Sequence, residues 1–212
     1  AHLRLGLVCR RQGRAADEEV ALRQAAALAP ALADTHVNLA HTLAVQGRFA
    51  EAEAAFREAI ARAPRHAIAH DGLGVALIAQ GRLEEAAHAL EEAHRIEPAR
   101  FRTLVHLADA LRRARRWNQA ATRYREAIRQ RPGLARLHGC LGLTLWRLRR
   151  YGEVASAWRD ATRLEPSRGL WHRWLGLVLE RLGRLPDAAA AFEQALRLDG
   201  DDVAAWLGLA LV

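Results

Sequence analysis

Lysine is absent. All 32 basic residues are arginine, which excludes a Schiff-base lysine and the lysine of a phosphate-binding P-loop. Methionine is absent too, even at residue 1; the expectation is a fragment or a processed product, so a missing targeting segment carries no information. Cysteine is limited to Cys9 and Cys140, which is no disulfide framework and points to a reducing, cytoplasmic location. No apolar run approaches the ~20 residues of a membrane span, and the N-terminus lacks the charged, apolar, small order of a signal peptide. No membrane partner is expected. There is also no glycine-rich phosphate loop, nucleophile elbow or paired-carboxylate motif, so neither an enzyme nor a cofactor is expected.

What is present is apolar content and arginine. With 212 residues, 51% of them hydrophobic, the chain can build one large core or two small ones. Its net charge of +8 is unevenly placed: residues 1–100 hold 12 Arg against 13 acids, and residues 101–212 hold 20 against 11. The densest stretch, residues 112–131, reads RRARRWNQAATRYREAIRQR, with eight arginines and one glutamate. Taken alone it resembles an arm for a phosphate backbone.

A period of 34 residues explains more. Pro30, Pro64, Pro98, Pro132 and Pro166 keep that step, with Gly200 at the next position. Leucines recur at Leu5, Leu39, Leu73, Leu107, Leu141, Leu175 and Leu209. A small residue recurs at Gly6, Ala40, Gly74, Ala108, Gly142, Gly176 and Ala210, and a large one at Leu22, Phe56, Leu90, Tyr124, Trp158 and Phe192. Within a unit the apolar spacing is helical: Leu73, Ala76 and Leu77 before Gly81, then Leu83, Ala86, Ala87, Leu90 and Ala93 before Pro98. This predicts two amphipathic helices joined at the glycine and stopped at the proline. The small column lets one backbone approach its neighbour, and the large residue fills the space they enclose.

The columns Leu73, Gly74, Leu77, Gly81, Ala86, Leu90, Ala93 and Pro98 resemble the signature of the tetratricopeptide repeat family. The spacing holds over nearly the whole chain; Glu18 and Val154 stand where a buried Ala is usual. The resemblance implies an all-α fold, a right-handed α-α superhelix of six repeats plus the first helix of a seventh. It would form one domain, 1–212, with units near 1–32, 33–66, 67–100, 101–134, 135–168, 169–202 and a partial 203–212. It also implies a protein-interaction scaffold, with first helices lining a concave groove and second helices forming the back.

In that frame the arginine stretch spreads over more than one face. The implied groove includes Val37, Asn38, His41, Asp71, Gly72, Val75 and Ile78 in the near-neutral half. In the basic half it includes Arg102, His106, Asp109, Arg112, Arg113, Arg136, Leu143, Trp146, Arg147, Arg173, Trp174, Leu177 and Arg181. Arginine with tryptophan is the composition of binding hot spots, so an acidic peptide or protein is the expected partner. Trp146 and Trp174 are weighed between ligand contact and ordinary packing, whereas Trp117, Trp158 and Trp206 fall on core columns. The lysine–asparagine clamp and the asparagine ladder of other family members are not supported, because Asn38 alone stands on the asparagine column.

Two further surfaces remain open as alternatives. Arg14, Arg48, Arg82, Arg116, Arg150 and Arg184 form a column of one arginine per turn. It reads either as polar residues favouring the preceding helix C-terminus or as a weak polyanion track for RNA or DNA. Arg115 and Arg149 replace the helix-ending glycine of the other units; left-handed backbone there would cost about 1–2 kcal/mol. With Arg116 and Arg150 they make up the alternative polyanion edge. The last segment is apolar where solenoids normally carry a polar cap; Trp206, Leu207, Leu209 and Leu211 are therefore a candidate self-association end. Metal is not expected: His2, His36, His70, His138 and His172 share a column about 10 Å apart, and His66 with His70 lacks a third ligand. Cys9 and Cys140 lie four units apart and cannot pair.

Overall fold

The computed structural model describes residues 15–29 and 31–212, with side chains from Asp17 onward. Leu5, Gly6, Cys9, Arg14, His2 and Pro30, named above, lie outside the described residues. The chain divides into two compact units, Ala1–Ala114 and Arg115–Val212.

The first unit holds α1 (Ala15–Leu28), α2 (Ala33–Val45), α3 (Phe49–Arg62), α4 (Ala67–Ala79), α5 (Leu83–Ile96) and α6 (Phe101–Arg113). The second holds α7 (Trp117–Gln130), α8 (Ala135–Arg147), α9 (Tyr151–Leu164), α10 (Gly169–Arg181), α11 (Leu185–Leu198) and α12 (Val203–Ala210). No strand occurs among the described residues. Within each unit consecutive helices pack on one another, and first helices also meet first helices: α2 with α4, α4 with α6, and α10 with α12. This is the all-α array of helix pairs that the period predicts.

Each boundary has a local cause. Second helices end on the residue before the proline column, where Ala63, Glu97, Arg131 and Glu165 leave the helical region with φ between −139° and −129°. The proline ring disfavours helical backbone at the preceding residue. Asp199 ends α11 in the same way (φ −146°) although Gly200 follows. First helices end in a left-handed residue. Gly47, Gly81 and Gly183 have φ of 79°, 78° and 72°, and Arg115 and Arg149 adopt 60° and 57° at the same column. The next amide then reaches back to close the turn: Arg82 N–H donates to Leu77 O and Arg150 N–H to Leu145 O, at 3.0 and 3.1 Å. This six-to-one bond satisfies a carbonyl the helix leaves open. The arginines make the same turn without glycine's freedom, so the strain expected from the sequence is present twice.

The core is the large column set against the small one. Phe56, Leu90, Tyr124, Trp158 and Phe192 are at most 1% exposed. A Cβ on Gly142 would lie 2.1 Å from the Trp158 indole nitrogen, so that residue has to be glycine for the tryptophan to seat. Val154 is fully buried, and Glu18 is buried with its carboxylate accepting from the Thr42 hydroxyl at 2.6 Å. The unusual Glu18 is thus satisfied by a side chain of the next repeat.

Candidate functional site

The expected groove residues fall into both units, and each group has its own surroundings. In the first unit, Arg102 and Arg113 on α6 are exposed and make no ion pair among the described residues. His106 is half-buried, and its Nδ1 donates to Asp71 Oδ1 at 3.0 Å. Arg112 lies 3.7 Å from Asp109. Asp71 itself is only 4% exposed. Burial works against its ionisation, but the His106 hydrogen bond and charge outweigh that and hold its pKa below the usual 3.8. Asp71, Gly72 and Val37 are not groove lining: all three are buried, Gly72 because a Cβ there would lie 2.2 Å from the Phe56 ring.

In the second unit, α8 and α10 hold an aromatic row with α9 between them. Trp158 is fully buried on α9 and donates its indole N–H to Gly139 O at 3.2 Å. Trp146 stacks on it from α8, centroids 5.8 Å apart at 29°, and Trp174 lies against it from α10, 5.4 Å away at 35°. Tyr151 closes the row edge-on to Trp146 at 5.3 Å. Trp146 and Trp174 are half-buried. They therefore pack and still present area. The guanidiniums of Arg173 and Arg181 lie over Trp174 and Tyr151 at 5.6 and 5.8 Å.

The arginines differ in how far they are already used. Arg173 donates to both oxygens of Asp202, at 2.9 and 3.0 Å, and Asp202 in turn caps α12 through the Ala205 amide. Arg181 is exposed and makes no ion pair among the described residues. Arg136 is exposed near the start of α8. Arg147 makes the Arg181–Tyr151 contact one repeat earlier: it lies 5.9 Å from the Trp117 ring and shares a cavity of about 320 Å³ with Trp117 and Arg115. Trp117, expected to be core only, is half-buried at this rim. Aromatics share that column at Phe49 and Tyr151, beside the arginine column; that was the signal for both, and column-by-column reading for core alone passed over it.

The arginine column proves to be the N-cap of each second helix rather than part of the preceding helix end. A cation there opposes the helix dipole, and a carboxylate three residues on corrects it. Arg48 pairs with Glu51, Arg82 with Glu85, Arg150 with Glu153 and Arg184 with Asp187. In the first unit the same arginines also reach the previous repeat, Arg48 to Glu19 and Arg82 to Glu53, both at 2.7 Å. Arg116 meets the neutral Gln119 instead. Arg115 and Arg149 are exposed and make no ion pair among the described residues.

The histidine column is a strap. His70, His138 and His172 donate Nε2–H to the carbonyls of Pro64, Pro132 and Pro166 at 2.9–3.0 Å. Trp206 makes the same bond to Gly200. Trp206 is 56% exposed rather than a core residue, and Leu207 and Leu211 are also exposed. Leu209, by contrast, packs toward Phe192. His66 accepts from the Ala69 amide through Nδ1, so Nε2 carries the proton given to Asp34 at 3.0 Å. Among the described residues no three His, Cys, Asp or Glu converge on a metal position, and no helix is long and apolar enough to cross a membrane.

Two models described as Tetratricopeptide repeat match the sequence, one over residues 37–100, 141–203 and 179–212 and the other over 77–142. The chain belongs to the tetratricopeptide repeat family. Neither model is that of an enzyme, and membership makes the chain a protein-interaction scaffold. Among solved structures it is similar to YrrB, described as a TPR protein with an unusual peptide-binding site: TM-score 0.81, 17% identity, 88% of this chain and 96% of that one. Pseudomonas aeruginosa pilF gives 0.76 at 22% identity, over 100% and 96%. MamA of Desulfovibrio magneticus RS-1 gives 0.74 at 19%, over 81% and 97%. At these identities the likeness establishes the fold. No curated protein matches the sequence.

Proposed function

We propose that the first-helix face of the second unit holds a segment of a partner protein carrying an acidic side chain beside an aromatic or aliphatic anchor. The observation that carries this reading is the row Trp146, Trp158, Trp174, whose outer two rings are partly exposed, with Arg173 over Trp174 and Arg181 over the adjoining Tyr151. Partly exposed indoles supply contact area with few rotors to freeze. A guanidinium already over an aromatic face offers its edge N–H groups to a carboxylate.

Arg173 is held by Asp202, so its part is to position Trp174. Arg181 is the residue that meets the partner's charge. Arg136 extends the basic rim along α8, and Arg147 over Trp117 repeats, one unit earlier, the contact that Arg181 makes with Tyr151.

Calorimetry with acidic peptides bearing one tryptophan or leucine tests this. Arg181→Gln and Trp174→Ala should each weaken binding on the order of tenfold, with helix content retained. Binding that is indifferent to both substitutions would remove this face from the function.

A further inference from the structure

Arg115, Trp117 and Arg147 come from different elements: the turn after α6, the start of α7 and the end of α8. They nonetheless enclose one cavity of about 320 Å³. Arg147 lies over the indole, and neither Arg115 nor Arg147 makes an ion pair among the described residues. The N-cap arginines Arg150 and Arg184 on this rim each hold a carboxylate three residues on. At the first rung the carboxylate column is Gln119. Arg115, Arg147 and Arg149 make no ion pair among the described residues, and the one acid of residues 115–119 and 147–153, Glu153, is shared between Arg150 and Arg125.

The backbone gives an independent observation. Arg115 and Arg149 hold left-handed φ of 60° and 57°, where the other described turns use glycine. Strain kept at two successive turns, with exposed cations at both, points to a use for the side chains.

We propose that this edge of the second unit binds single-stranded nucleic acid, with a phosphate between Arg115 and Arg147 and a base against the Arg147–Trp117 pair, one repeat before the Arg181–Tyr151 contact of the peptide face. Guanidinium and indole planes are stacking surfaces for any nucleobase, and cationic side chains track the backbone. A peptide with acidic side chains alone would satisfy the charges and leave the planes unused. Successive repeats lie about 10 Å apart, so Arg149 and Arg150 continue the track by one rung.

The test is fluorescence anisotropy of a labelled oligouridine of about 15 nucleotides with the whole chain, at low and near-physiological salt. Binding should weaken steeply with salt. Arg115→Gly, which restores the turn residue and relieves strain, should cut affinity on the order of tenfold and shallow the salt slope by about one phosphate, while thermal stability rises. Arg147→Gln should do the same to affinity and slope. Trp117→Leu, with helix content checked by circular dichroism, should erase the preference for oligouridine over an abasic strand of equal length. Peptide binding on Arg115→Gly should be unchanged, so this site and the peptide face fail or stand separately. No binding by the wild type, or wild-type affinity in Arg115→Gly, overturns the proposal. Equal binding of the abasic strand by the wild type overturns the base contact and leaves a non-specific polyanion surface. Capture of a glutamate-rich peptide instead of the oligomer, lost in Arg115→Gly, assigns the edge to a second protein contact and overturns it too.

Discussion

At residue scale, three positions hold more than their side chains suggest. Arg149 spends conformational energy on a left-handed turn, so Arg149→Gly should raise unfolding free energy by about 1 kcal/mol, less glycine's extra unfolded-state entropy; urea denaturation reads it. Gly142 has the opposite sensitivity. Its nearest neighbour is the ring of a fully buried tryptophan, so Gly142→Ala should cost about 1–3 kcal/mol and shift Trp158 fluorescence. Asp71 is titratable and buried, with a lowered pKa. A carboxylate lowered in the folded state stabilises above its unfolded pKa and loses that contribution as pH falls through the folded one. Wild-type stability should therefore fall with acid from about pH 4 downward, and Asp71→Asn should flatten that decline while lowering stability near neutrality.

At the scale of the element, helix ends divide between signals that are necessary and signals that are merely present. Pro98 stops α5, yet α11 stops at the same column before Gly200. Pro98→Ala should therefore leave the helix boundary unmoved and cost about 0.5–1 kcal/mol through the unfolded chain; chemical shifts across residues 95–101 read the boundary. The N-cap arginines were legible as a column but not as caps, because the sequence gives a residue's step and not the direction of its side chain. Their pairing with the third residue onward could have been read from Glu51, Glu85, Glu153 and Asp187, which keep the same period. Arg147 was legible only as a first-helix residue. Its turn toward Trp117 depends on an aromatic arriving from another helix.

At the scale of the whole molecule, both units carry charge pairs between repeats, and the second adds an aromatic row. The first uses charge between repeats, Arg48 with Glu19 and Arg82 with Glu53; alanine takes the glutamate's place at Ala87, Ala121 and Ala155. The second has Arg125 with Glu153 and Arg173 with Asp202 between repeats, and adds the aromatic row. Salt screens exposed pairs and leaves ring packing largely untouched. Hydrogen exchange at high salt should therefore lose more protection in α2–α5 than in α8–α11, and equal losses would mean the bridges contribute nothing measurable. What the sequence alone determined is the repeat: helix lengths, turn positions, the large-against-small core and the family all follow from a 34-residue period, because helix periodicity and turn chemistry are local. Only tertiary structure decided which arginines are already held, that Trp146 and Trp174 both pack and present surface, and that Arg147 belongs with Arg115. Those outcomes depend on side chains from different repeats meeting in space, and a period fixes the spacing of columns without saying what crosses between them.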